Sequence, residues 1–354
     1  MTSIVFVVIG ILILLLAMLE MGLRAAIGFG NPLIYVADPE VGYLLAPNQR
    51  VRRFGNWVEI NEYSMRSSSL SNSPPDLRIL LLGDSVLNGS WWTDQNETIS
   101  AVVTKILLDT YSLANSSVKA TLPSNLLNDS PSNFLDNSQS NSSSNSLTNS
   151  PLVEVLNISA NGWSPRNELA YLQKFGCFQA QILVLLLNTD DLFGTAPTSI
   201  PVGNDRYYPS QKPALAILEA ATRLLPYAPP PEMAVVNAEG GDRVGFNLAA
   251  IQEIHHITQT QNIALKIALT PLLPEVIDQP KDYEIVARSR LATFTQEQGI
   301  AYLDFLPIFQ SHAAPKTLFR DQIHLSPAGN QLVGAEISKL IVAKTHHLKL
   351  ENEV

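Results

Sequence analysis

Apolar residues fall in short runs separated by polar stretches along most of this chain. Residues 77–83 read Leu-Arg-Ile-Leu-Leu-Leu-Gly and run directly into Asp84-Ser85. An apolar run of this length, closed by a turn signal, predicts a buried strand. The same pattern predicts strands at 79–82, 153–158, 182–187, 264–269 and 301–305. Between them, helical periodicity predicts helices at 100–110, 167–175, 248–261, 283–298 and 327–344. Strands alternating with helices predict an α/β fold, a parallel sheet covered by helices on both faces.

Five segments depart from this alternation. Residues 4–19 are aliphatic and uncharged up to Glu20. Sixteen residues fall slightly short of a membrane span, and 1–3 and 21–23 extend the run. A cleaved signal would want a basic start and a small-residue cleavage site; Met1-Thr2-Ser3 carries no side-chain charge and no A-x-A follows. The expectation is an uncleaved membrane anchor over 1–24, with a cleaved signal and a buried helix as the alternatives. Arg24, Arg50, Arg52 and Arg53 follow the run, which by the positive-inside tendency places the main domain in the cytoplasm, although only Arg24 is close. Residues 25–76 read as an irregular approach to a main domain at 77–345. Within that domain, 112–150 are dominated by Ser and Asn, with NSQSNSSSNS at the centre, and predict a disordered insertion. Residues 196–245 are rich in Pro and Gly and predict an excursion or lid over the active face. Residues 346–354 form a tail.

Composition narrows the function classes. The 354 residues are 46% hydrophobic, enough for a substantial core, and the net charge is −9. That charge and the lack of a basic stripe argue against a nucleic-acid partner. One cysteine, Cys177, rules out an internal disulfide or a cysteine metal cluster.

Ser85 stands just past a strand, where α/β folds place their chemistry. Far downstream, Asp321-Gln322-Ile323-His324 offers an acid and a base three residues apart. Serine is a weak nucleophile until a histidine takes its proton, and a carboxylate fixes that histidine's tautomer. The serine is not in a G-x-S-x-G elbow, which argues against the α/β-hydrolase fold. Oxyanion donors are available in the N–H of Ser85, the N–H of Gly162 and the side chain of Asn188, each following a predicted strand. Simpler readings stand beside these. Asp84 or Ser85 caps a helix, Gly162 makes a turn, Asn188 is a cap, and Asp321 and His324 form a surface pair ahead of a helix starting near Pro327. Asp304 is a rival partner for His324. Trp91 and Trp92 line a cleft or pack in the core. Neither His255-His256 nor His346-His347 chelates well, because adjacent helix residues diverge, and Glu253 with His256 does not complete a metal site.

The blocks Gly83-Asp84-Ser85, Gly162 in NISANGWS, Asn188 in LLLNTDD and Asp321-Gln322-Ile323-His324 resemble the SGNH (GDSL-type) hydrolase family, over most of 77–345. The resemblance implies a three-layer α/β/α sandwich with a parallel sheet and no metal or organic cofactor. It implies Ser85 as nucleophile, His324 as base, Asp321 as its orienter, and an oxyanion hole from Ser85, Gly162 and Asn188. The implied activity is hydrolysis of an ester, an acyl or acetyl group on a carbohydrate or lipid. An O-acyltransferase acting on a cell-envelope glycan and a degenerate glycan-binding module are the alternatives. It also favours an extracytoplasmic domain, against the arginine distribution. Leu186 and Thr189 stand where the family's third block has Gly and Asp. The stretch from Asn61 to Arg66 resembles a segment preceding the first strand in some membrane-associated members, with Ser64 where Gly is common.

Overall fold

In the computed structural model, which describes residues 2–121 and 153–343, the run at 77–83 is a strand buried along its whole length. In chain order the strands are β1 Tyr35–Asp38, β2 Gly42–Leu45, β3 Gln49–Arg53, β4 Asn56–Ile60, β5 Leu77–Gly83, β6 Val153–Ser159, β7 Ile182–Asn188, β8 Ala264–Thr270 and β9 Ala301–Asp304. The α-helices are α1 Thr2–Gly22, α2 Ser85–Asn88, α3 Ile99–Thr121, α4 Pro165–Phe175, α5 Ala216–Leu224, α6 Met233–Asn237, α7 Arg243–Thr260, α8 Leu273–Ile277, α9 Asp282–Glu297, α10 Leu306–Gln310 and α11 Pro327–Val342.

Five strands form one sheet in the order β6-β5-β7-β8-β9, every neighbouring pair parallel. Strand side chains alternate between its two faces. Leu80 and Leu82 of β5 and Leu183, Leu185 and Leu187 of β7 share one core with Tyr171 of α4, Ile251 of α7 and Leu291 of α9. Ile79 and Leu81 of β5 and Val184 and Leu186 of β7 face a second core with Val103 of α3, Phe309 of α10 and Val333 of α11. This is the three-layer α/β/α sandwich. Each fully buried leucine contributes about 1.5–3 kcal/mol, so stability concentrates in these central strands. The chain steps from β5 to β6 on one side and then to β7 on the other. The carboxyl ends of β5 and β7 therefore flank the crevice where doubly wound sheets bind ligands. Gly83 permits their close approach: a Cβ there would lie 2.6 Å from the Leu186 carbonyl oxygen.

Residues 25–76 are more ordered than the irregular approach the sequence predicts. They form two antiparallel hairpins, β1-β2 and β3-β4. In β3-β4, Val51 pairs with Val58 and both are buried in the first core. The turn uses two positive-φ residues, Phe54 and Gly55, as a tight hairpin requires. Strands of four or five residues hold too little pattern to stand out among Gly, Pro and Asn. Ser64 adopts φ 64°, the left-handed region that favours glycine. Helix α3 continues to Thr121, past the start of the predicted Ser/Asn-rich insertion. The rest of that insertion, and the tail at 346–354, lie outside the described residues. The stretch 196–245 carries α5, α6 and the first residues of α7.

Candidate active site

Asp84 follows β5 and caps α2, its Oδ1 accepting from the Val86 N–H at 2.8 Å. That cap fixes Ser85 as the first helical residue at the carboxyl edge of the sheet. His324 comes from the loop before α11. The loop is tied by the Arg320 N–H donating to the His324 carbonyl at 2.8 Å. Asp321 Oδ1 accepts from the N–H groups of Ile323 and His324, each at 2.9 Å. The same carboxylate reaches the His324 ring, with Oδ2 2.8 Å from Nδ1. On the ring's far side, Nε2 lies 3.0 Å from Ser85 Oγ. The three side chains thus form one continuous line of hydrogen bonds. The proton is assigned to Nδ1, because only that tautomer donates to Asp321 and leaves Nε2 to accept from serine.

Ser85 Oγ also donates toward Asp84 Oδ2 at 3.0 Å, so two acceptors compete for one hydroxyl proton. Burial pushes the Asp84 carboxyl above its usual range, although the Val86 N–H and the Ser85 hydroxyl pull the other way. Asp321 moves in the opposite direction. Partial burial would raise it, but the N–H groups of His324 and Ile323 and the imidazole together hold it below the usual carboxylate range.

Asn188, at the end of β7, is buried beneath this turn. Its amide nitrogen donates to Asp84 Oδ2 at 2.9 Å and its oxygen accepts from the Asp190 N–H at 2.8 Å. It contacts Asp84 rather than lining the cavity at Ser85. The N–H of Asn188 in turn donates to Asp191 Oδ2 at 2.7 Å. Asp304 is not a partner of His324, since it forms an ion pair with Arg288 and accepts from the Leu306 N–H.

Gly162 lines the cavity with Ser85 and His324 and has φ 72°. A Cβ there would meet the Tyr208 hydroxyl at 2.8 Å, so the loop needs glycine. The hydroxyls of Tyr43 and Tyr208 donate to the Asn161 carbonyl at 2.6 and 3.3 Å and hold this loop in place. Burial raises both phenols, keeping them protonated donors. Asn161 itself donates from Nδ2 to Ser90 Oγ at 2.5 Å. None of these tyrosines carries a sequence signal, because their partners lie far away in the chain.

The cavity has a volume of about 600 Å³ and includes Trp91, Trp92, Tyr208 and Tyr227 in its walls. Trp92 packs edge-on against His324 with ring centroids 4.7 Å apart, and Arg320 sits 4.4 Å over the Trp92 ring. Both tryptophans therefore belong to the cleft. Among the described residues, no group of three His, Cys, Asp or Glu is placed to hold a metal ion. His255 is buried and His256 exposed, consistent with adjacent residues diverging on a helix. Cys177 is a buried free thiol.

No family model and no curated protein matches the chain. Among solved structures, an acetyl xylan esterase is 11% identical, with coverage of 75% of this chain and 100% of that one, at a TM-score of 0.41. A lipase/acylhydrolase from Enterococcus faecalis is 12% identical over 75% and 95% of the two chains, TM-score 0.40. A member of the lipolytic protein G-D-S-L family from Veillonella parvula is 12% identical over 75% and 97%, TM-score 0.37. At these identities and scores the likenesses add nothing to what the site's own geometry supports.

Proposed function

We propose that the protein is a serine ester hydrolase, held at a membrane by α1, that acts on an acyl or acetyl group carried by a carbohydrate or lipid. The observation that carries this reading is the line from Asp321 through His324 to Ser85, with the last gap 3.0 Å. Ser85 Oγ attacks the ester carbonyl while His324 Nε2 takes the hydroxyl proton. Asp321 stabilises the imidazolium that forms. The C–O bond to the alcohol then breaks, and His324 returns its proton to the departing oxygen. Water, deprotonated by His324, attacks the acyl-enzyme and releases the acid and free Ser85.

The developing oxyanion sits between the N–H groups of Ser85 and Gly162. Asn188 gives one of its two amide hydrogens to Asp84 and keeps it aligned, and the second is the one it can offer the oxyanion. No step calls for a metal or an organic cofactor. Helix α1 supports the anchor, since residues 3–27 are long and apolar enough to cross a bilayer. The reading is tested by p-nitrophenyl acetate hydrolysis with the full chain in detergent. Ser85→Ala should reduce turnover to background while the protein stays folded; retained turnover in that variant refutes the assignment.

A further inference from the structure

Helix α5 is inside out for a helix facing water. Its acid, Glu219, is buried and takes Arg53 and Arg223 as ion pairs and the Gly30 N–H at 2.7 Å. Its outward face is apolar: Leu218 is 52% exposed and Leu224 87%, and Leu225, just past the helix, is 62%. Leu215, just before it, is exposed as well. A water-facing helix has the reverse polarity, and a clustered apolar patch marks an interaction surface.

What covers this face follows from the residues at its start. Glu20, near the end of α1, accepts from the N–H groups of Ala216 and Ile217 at 2.8 and 3.0 Å. Arg24 pairs with Glu20 at 2.6 Å and donates to the Ala214 carbonyl at 3.1 Å. The first turn of α5 is thereby clamped to the foot of the apolar N-terminal helix. The helix that ends in this clamp, residues 3–27, is long and apolar enough to cross the bilayer. Glu20 and Arg24, the first charged side chains of the chain, mark the interfacial level at its end and hold the first turn of α5 there.

We propose that the outward face of α5, from Leu215 to Leu225, is seated in the interfacial layer of the bilayer that α1 spans. The inference rests on the reading of α1 as an anchor. Its consequence for the site is direct. Arg223 of α5 and Tyr227 just after it line the cavity that holds Ser85. The wall of the cavity that Arg223 and Tyr227 form then lies next to lipid, and an ester dissolved in the membrane reaches Ser85 from that side.

Cys177 is buried, so single environment-sensitive fluorophores can be attached to Leu218→Cys and Leu225→Cys in the full chain. The labelled proteins are reconstituted in phosphatidylcholine vesicles. At both positions the emission should shift to the blue and be quenched by lipid carrying a nitroxide near its headgroup, but not by aqueous iodide. Val286→Cys, an exposed apolar position on α9, should be quenched by iodide. Iodide quenching at both α5 positions on vesicle-bound protein overturns the proposal. So do labels shielded from iodide and lipid nitroxide alike, which report a second copy or another protein on this face. Vesicle flotation tests the anchor separately, and its failure removes the premise and the proposal together. Hydrolysis of p-nitrophenyl acetate in the same samples tests Ser85 independently of both.

Discussion

Glu168 on α4 is fully buried, and neither carboxylate oxygen has a hydrogen-bond partner among the described residues. Burial pushes its pKa well above the ordinary 4.5, and the nearby charge of Asp84 pushes it further. The sign of the stability effect is therefore opposite to that of a salt-bridged carboxylate. Below the unfolded value of 4.5 both states hold the proton, and no penalty exists. Above it the unfolded chain releases a proton that the folded chain keeps, so stability falls by about 1.4 kcal/mol per pH unit until the folded group titrates. Burial likewise raises Asp191, with Asp84 and Glu168 adding to it, so the wild type should lose stability steeply through this window. Glu168→Gln removes one proton from that balance. The variant leaves a buried amide without partners, which costs about 1–3 kcal/mol at every pH; the diagnostic quantity is the pH slope. Urea unfolding of the detergent-solubilised full chain, followed by tryptophan fluorescence from about pH 4 to 8, measures it. The stability of the variant relative to wild type should rise by up to about 1.4 kcal/mol per pH unit above 4.5. Parallel curves for the two proteins would refute the buried neutral acid.

Three further outcomes follow from other contacts. Gly83→Ala places a Cβ 2.6 Å from the Leu186 carbonyl and should destabilise the chain by about 1–3 kcal/mol in the same urea assay, with activity falling because Ser85 shifts. Asp321→Asn presents an N–H to His324 Nδ1, favours the tautomer with the proton on Nε2, and should lower kcat by roughly 10²–10⁴ with little change in KM for p-nitrophenyl acetate. Arg53→Ala strands the buried Glu219 carboxylate and should cost about 3–5 kcal/mol in urea unfolding. Arg53 also donates to the Gly28 carbonyl at 2.7 Å, so α5 should lose its fixed position beside α1 at the same time.

The central sheet was legible because β5, β7 and β8 are buried on both faces, which leaves largely apolar runs in the sequence, broken by Arg78 in β5 and Lys266 in β8. Ser85, Asp321 and His324 were legible as residue types at strand and helix edges, and His324 lies within hydrogen-bond distance of both Asp321 and Ser85. The surroundings of Ser85 were not. Asn188 turns its amide to Asp84, a contact between the ends of two neighbouring strands that spacing alone does not specify. Tyr43 and Tyr208 reach the Asn161 carbonyl from 118 and 47 residues away. Helix α5 hid for a different reason. It lies in the Pro- and Gly-rich stretch 196–245, which reads as an excursion, and only the pairing of Glu219 with Arg53 reveals which face points out.

The most direct test of a nucleophilic Ser85 is covalent capture. The full chain is treated with a fluorophosphonate and the modified peptide is identified by mass spectrometry. One adduct should form, on Ser85, and its rate should collapse in His324→Ala. An unmodified Ser85 in folded protein, or labelling that is indifferent to His324, would contradict the account.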